Sequence, residues 1–231
     1  MHLLRVLFSF TLFLYSVDSF KFLMYMPLFG RSHVNFLGKL ADVLLEAGHD
    51  VTILAPLFDL SIGTNGTKHP RAKFIFIPQC SEAAKIQDDM QRVGGGIDDA
   101  WKAQNAMFMV RAVFELLHAW TSQCEVVLST PGLIEQLRQE KFDVGFGELA
   151  DMCSVGIFEQ IGIKNTAITL STSAIDTGFG ITGAPHIPSY VPGILGKSSD
   201  KMSFVQRFYN LFATVMMKVM SPAALGPFDG L

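Results

Sequence analysis

Residues 20–56, FKFLMYMPLFGRSHVNFLGKLADVLLEAGHDVTILAP, constrain the fold more than any other part of the chain. An apolar, aromatic-rich run over residues 20–26 is bounded by Pro27 and Gly30, the pattern of a buried parallel strand. Phe36, Leu37, Leu40, Leu44 and Ala47 then recur at helical spacing and define one apolar stripe. Ser32 is the expected N-cap, and Gly48 suits the left-handed position just past the helix end. A second apolar run, residues 51–55, is closed by Pro56, and the crossover between the two strands is expected to be right-handed. His33 lies where the first strand gives way to the helix. Open α/β sheets bind ligands outside the carboxyl ends of their strands, and an imidazole there can take a proton from a substrate at neutral pH.

The same rhythm continues downstream. Residues 73–78 (KFIFIP) predict a third strand, and the polar stretch 81–103, with Gly94-Gly95-Gly96, reads as a flexible insertion. Those glycines lack a strand before them and a helix and lysine after them, so they do not form a phosphate cradle. Residues 105–123 predict a helix with Phe108, Val113, Leu116, Leu117 and Trp120 among its apolar positions. Residues 125–129 fit either a short strand or the continuation of that helix. A helix over 132–139, a strand over 142–147 followed by Glu148, a helix over 153–161 and a strand over 165–172 complete the alternation. Strands alternating with helices at this interval imply an α/β fold with a Rossmann-like, doubly wound parallel sheet. From residue 173 glycines and prolines crowd into loop, and 203–220 returns to an amphipathic helical pattern.

Composition narrows the setting. Of 231 residues, 49% are hydrophobic and only 17% charged, which fits deeply buried strands and a surface for lipophilic ligands and excludes disorder. A net charge of -3 gives no basic footprint, so nucleic acid is not an expected partner. Residues 1–19 combine a positive start, an apolar run too short for an ordinary membrane span and small residues at the cleavage positions, the layout of a signal peptide with a mature chain from about Phe20. A retained anchor is the alternative. Asn65-Gly66-Thr67 is a glycosylation sequon that makes Asn65 a candidate acceptor on a lumenal surface. Cys80, Cys124 and Cys153 are too few and too scattered for a disulfide scaffold or a zinc site; one pair can close in an oxidising lumen, but buried, inert thiols are the expectation.

His33 and Glu148 form the candidate catalytic pair. Both follow the carboxyl ends of predicted strands and so open onto one crevice. The carboxylate would hold the imidazole tautomer and stabilise the imidazolium formed when a substrate hydroxyl is deprotonated. The helix N-terminus beside His33 would disfavour its charged form. The plain alternative for His33 is a hydrogen-bonded structural histidine, and Asp151, one turn further on, is an alternative orienter. Ser32, Ser171 and Thr172 are candidate substrate contacts lining the crevice, although Ser/Thr-rich turns are ordinary. No ligand cluster implies a metal.

These residues resemble a family. The apolar leader, RSHVNFLGKLADVLLEAGHDVTILAP, FDVGFGELADMC from Phe142, PHIPSYVP from Pro185 and MSFVQRFYN from Met202 are similar, in order, to segments of the animal UDP-glycosyltransferases, the UDP-glucuronosyltransferase group, with the second motif most like nematode members. The resemblance implies a two-domain enzyme with two Rossmann-like halves. The N-terminal half, residues 20–231 here, binds a small lipophilic acceptor, and a C-terminal half binds the UDP-sugar co-substrate; no other cofactor is implied. It makes His33 the base. It places the acidic partner at Glu148, where many members carry aspartate.

The family's donor-binding signature and membrane span are not found here, so the segment is expected to be an N-terminal fragment or truncated isoform. The implied setting is the endoplasmic reticulum lumen, membrane-anchored at full length, with homo- or hetero-oligomers among transferases. The expected reaction is glucuronosyl or glucosyl transfer with inversion. The rival from another class is a non-catalytic lumenal module that holds apolar ligands or pairs with full-length transferases. A secreted lipid carrier would explain the composition but not the placement of His33.

Overall fold

The computed structural model describes residues 19–63, 66–92, 106–149, 151–171, 185–193 and 198–225. Residues 1–18 of the expected signal peptide, the Gly94-Gly95-Gly96 stretch, Asn65, Thr172 and most of the glycine-rich region after it lie outside them.

Five parallel strands form one sheet in the order β3-β2-β1-β4-β5. They are β1 (Lys21–Tyr25), β2 (Asp50–Pro56), β3 (Lys73–Ile77), β4 (Val144–Glu148) and β5 (Asn165–Thr169). The helices are α1 (Arg31–Glu46), α2 (Ser81–Arg92), α3 (Ala106–Ser129), α4 (Leu133–Glu140), α5 (Cys153–Ile161) and α6 (Phe204–Leu225). This is the α/β, Rossmann-like sheet that the alternation predicts. The chain winds outward from β1 to β3, then returns to place β4 on the other side of β1, with Phe22 opposite both Val51 and Val144. The strand order reverses between β1 and β4, so a crevice opens at their carboxyl ends.

Strand alternation sorts the core into two layers. Phe22, Met24 and Met26 of the β1 segment pack with Val51, Ile53 and Ala55 against Val34, Leu37, Ala41 and Leu45 of α1. Leu23 and Tyr25 point the other way, toward Val127, Leu133, Leu137, Ile157 and Phe158 on α3, α4 and α5. Full burial of each such side chain contributes about 1.5–3 kcal/mol.

Several expectations shift. α1 begins at Arg31 after Gly30, so Ser32 sits inside the first turn and does not cap it. The buried stripe of α1 is Val34, Leu37, Gly38, Ala41 and Leu45, while Phe36, Leu40 and Leu44 are only partly covered, because the face is set by contact with β1 and β2. Gly48 does take a positive φ of 93°. Residues 81–92 form a helix, although the stretch reads as an insertion. α3 runs through residues 125–129 without a break. β4 ends on Glu148, which is therefore the last strand residue and not the first loop residue, and β5 stops at Thr169.

The cysteine expectation is corrected. Cys124 of α3 and Cys153 of α5 form a disulfide with Cα atoms 5.6 Å apart, and Cys80 is a free, buried thiol. Helix packing across one sheet face brings together two cysteines whose sequence positions gave no sign of pairing. Among the described residues no helix is long and apolar enough to cross a membrane.

Candidate functional site

The loop from Pro27 to Gly30 carries the chain from β1 into α1. Leu28 bridges to Leu57, and Gly30 adopts φ 66°, a left-handed conformation that glycine takes without strain. A Cβ at Gly30 would lie 2.9 Å from His33 Cδ2, so the glycine also makes room for the imidazole. His33 thereby turns from the first turn of α1 toward the end of β4.

Glu148 arrives there because β4 pairs in parallel with β1 and β5, with Glu148 opposite Thr169. Glycines at 145 and 147 allow α5 to lie close on this short strand: a Cβ at Gly147 would collide with the Ser154 hydroxyl, and one at Gly145 would meet the Phe158 ring at 2.8 Å. The register then fixes Ser171, two residues past the end of β5, beside the Glu148 carboxylate.

The three side chains meet. His33 Nδ1 lies 2.6 Å from Glu148 Oε1, and Ser171 Oγ lies 2.8 Å from the same ring nitrogen. The Ser171 backbone N–H donates to Glu148 Oε1 at 3.2 Å, and the Ser171 hydroxyl donates to that oxygen as well. The Glu148 side chain is 7% exposed and that of His33 19%. Burial pushes the Glu148 carboxyl up, but hydrogen bonds from His33 and Ser171 outweigh it and hold the group below the usual carboxylate range. A carboxylate on Nδ1 requires a proton there, so the lone pair of neutral His33 sits on Nε2. Among the described residues Nε2 has no hydrogen-bond partner.

Asp151 does not share this role. It is 3% exposed, accepts from the Tyr25 hydroxyl at 3.1 Å and from the Cys153 backbone N–H at 2.9 Å, and so ties β1 to the start of α5. Burial pushes its carboxyl up to about 6, with the two donors offsetting only part of the effect. Burial, together with the Asp151 charge, raises the Tyr25 phenol well above its ordinary value. Ser32 is exposed on α1, away from the hydrogen bonds of the pair. Thr172 lies outside the described residues, as does Asn65; of the sequon, Thr67 is buried and its hydroxyl donates to Asp42 on α1.

One neighbour was not singled out as part of the site in the sequence. Phe29 stands beside the His33 ring, with centroids 6.1 Å apart, and meets Phe58 at 5.2 Å and Trp120 at 5.5 Å in edge-on contacts. Trp120 comes from α3, so only tertiary packing could bring it to His33. Its indole N–H is buried and has no hydrogen-bond partner among the described residues. An apolar, aromatic wall thus borders a partly exposed imidazole backed by a carboxylate. Chemically this arrangement can seat a flat apolar molecule and take a proton from its hydroxyl. Among the described residues no cluster of His, Cys, Asp or Glu could hold a metal.

Comparison with known proteins gives a consistent family pattern. The family model described as "UDP-glucoronosyl and UDP-glucosyl transferase" matches residues 23–230. A Caenorhabditis elegans protein named as a UDP-glucuronosyltransferase, ugt-56, is 29% identical over 84% of this chain and 36% of its own length. UDP-glucuronosyltransferase 2B7 of Rattus norvegicus is 24% identical over 78% of this chain and 34% of its own. The chain therefore spans about a third of the length of these relatives. Among solved structures, a glycotransferase of kitacinnamycin covers 73% of this chain and 34% of its own at 14% identity and TM-score 0.44, and LpCGTa in complex with UDP covers 92% and 49% at 12% and TM-score 0.41.

Proposed function

The chain belongs to the UDP-glucuronosyl and UDP-glucosyl transferase family, and from that premise we propose that it is the acceptor-binding, base-carrying part of a UDP-sugar transferase. The observation that carries this reading is the 2.6 Å contact between His33 Nδ1 and Glu148 Oε1 at the point where the strand order reverses, which leaves Nε2 available.

The mechanism follows from that geometry. A small lipophilic acceptor, held along Phe29 and Trp120, directs its hydroxyl at His33 Nε2. As the acceptor oxygen bonds to the anomeric carbon of the sugar, its proton passes to Nε2 and the bond from the sugar to UDP breaks. The configuration inverts in this single displacement. Glu148 holds the ring in the working tautomer and stabilises the imidazolium while it lasts. The UDP-sugar is a co-substrate, held chiefly by parts of the longer family members that this segment does not span. The Cys124–Cys153 disulfide and the leader-like residues 1–19 support a secretory-pathway setting, in the endoplasmic reticulum lumen, for the mature protein.

The test is a protein in which this segment replaces the corresponding third of ugt-56, assayed with a UDP-sugar and a simple phenol. Transfer with stoichiometric release of UDP is expected. His33→Ala should lower turnover by roughly 10²-fold or more, the usual scale for losing a general base. Glu148→Gln should also cost turnover heavily, since Asp151 is committed to Tyr25 and Cys153. Turnover of His33→Ala within twofold of the parent, with an unchanged unfolding midpoint, would overturn the assignment.

A further inference from the structure

Glu148 Oε1 is unusually crowded. Three donors converge on it: His33 Nδ1, the Ser171 hydroxyl and the Ser171 backbone N–H, while Ser171 Oγ also lies 2.8 Å from Nδ1. Ser171 has one hydroxyl proton and two acceptors within reach of it. If the proton went to Nδ1, the imidazole would carry its own on Nε2, and the 2.6 Å contact between Nδ1 and Glu148 Oε1 would hold no proton, leaving two acceptors face to face. If it goes to Oε1, Nδ1 keeps its proton and Nε2 keeps its lone pair. In that second arrangement the hydroxyl joins the backbone N–H in pinning Oε1 against Nδ1. A carboxylate this deeply buried also gains from every donor it can engage.

We propose that Ser171 is a positioning residue of the His33–Glu148 pair: by giving both its hydroxyl and its backbone N–H to Glu148 Oε1, it holds that oxygen against Nδ1, so that Glu148 keeps His33 as the Nδ1–H tautomer with Nε2 as the basic nitrogen. The value of that nitrogen to a reaction rests on the transferase reading, but the tautomer does not.

The other titratable groups around the ring do not compete. The Phe29 side presents only an aromatic face, Arg31 on the same helix is exposed, and Tyr25 and Asp151 are bonded to each other. Among the described residues Glu148 is the only charged side chain in bonding contact with His33.

The experiment is a two-bond proton–nitrogen NMR correlation on the whole ¹⁵N-labelled chain, following the His33 ring nitrogens from pH 5 to pH 9. The parent chain should show His33 as the Nδ1–H tautomer once neutral. Ser171→Ala, which loses the hydroxyl donor to Oε1, should give a mixture of tautomers, and Ser171→Thr should restore the parent's. A parent chain in the Nε2–H tautomer overturns the proposal on its own, even if Ser171→Ala fails to fold. So does a folded Ser171→Ala that keeps the parent's tautomer. Neither sugar nor acceptor is involved, so failure of the transferase assay is separate from failure here.

Discussion

Glu148 and Asp151 are both buried carboxylates three positions apart, and their surroundings pull them in opposite directions. Burial raises both, but Glu148 recovers through His33 and Ser171 and ends below its ordinary value, whereas Asp151 ends raised to about 6. Between the unfolded value of 3.8 and about 6 the folded protein therefore holds the Asp151 proton more tightly than the unfolded chain does. The stability this confers is fully present below pH 3.8 and is lost as pH rises through 6, a change of order 3 kcal/mol. Asp151→Asn should flatten that decline, since an amide oxygen still accepts from the Cys153 N–H and no charge is buried. Urea unfolding at pH 4.5 and 6.5 checks it: the stability difference between the two pH values should shift toward greater stability at pH 6.5 in the variant. Glu148 has the opposite sign, with stability present above its unfolded value and lost as pH falls. The sequence offers Glu148 as the partner of His33 and Asp151 as the alternative. One turn of chain sets their spacing, but only the path of β1, which brings Tyr25 to Asp151, separates their roles.

At the scale of elements, the alternation of apolar runs and helical stripes was enough to predict all five strands, because parallel strands buried on both faces are written as continuous apolar segments. Boundaries were less legible. β4 extends to Glu148 because its backbone pairs with β5 up to Thr169, and no local residue marks that end. The sequence of α2 reads as part of a flexible insertion because its polar composition carries no obvious stripe, yet Ala83 is fully buried beside Phe58, Cys80 and Ala119. The Cys124–Cys153 bond was the largest surprise. It links the helix bearing Trp120 to the helix that follows Glu148, across a separation of 29 residues. Closing a loop of that size contributes about 3–4 kcal/mol through the unfolded chain. The double variant Cys124→Ala/Cys153→Ala should lose stability on that scale in denaturant melts, and reductant should then have no further effect on it.

At the scale of the whole molecule, the strand order 3-2-1-4-5 gathers His33, Glu148 and Ser171 from segments up to 138 residues apart at the carboxyl end of the sheet. The first two were legible because each follows an apolar run. Ser171 was legible only as a crevice residue, and its bond to Glu148 depends on the β4–β5 register. The aromatic wall was not legible as a unit, since Phe29, Phe58 and Trp120 sit on three unrelated segments. Helix α6 inverts the usual pattern: Asn210 and Thr214 are buried, while Phe204, Phe208, Tyr209 and Phe212 face outward. Asn210 spends its side chain on the backbone of Pro188, Val191 and Gly193, which anchors the preceding loop.

We propose that this segment carries the acceptor and the base, and that other parts of the family's longer chains hold the donor. The most direct measurement is an NMR titration of the chain, watching the His33 ring nitrogens as a simple phenol and, separately, UDP-glucuronic acid and UDP-glucose are added. A saturable shift of His33 Nε2 is expected with the phenol, abolished when Trp120→Ala removes part of the wall, and no measurable binding of either UDP-sugar. Tight, saturable binding of a UDP-sugar with His33 unmoved by the phenol would contradict it.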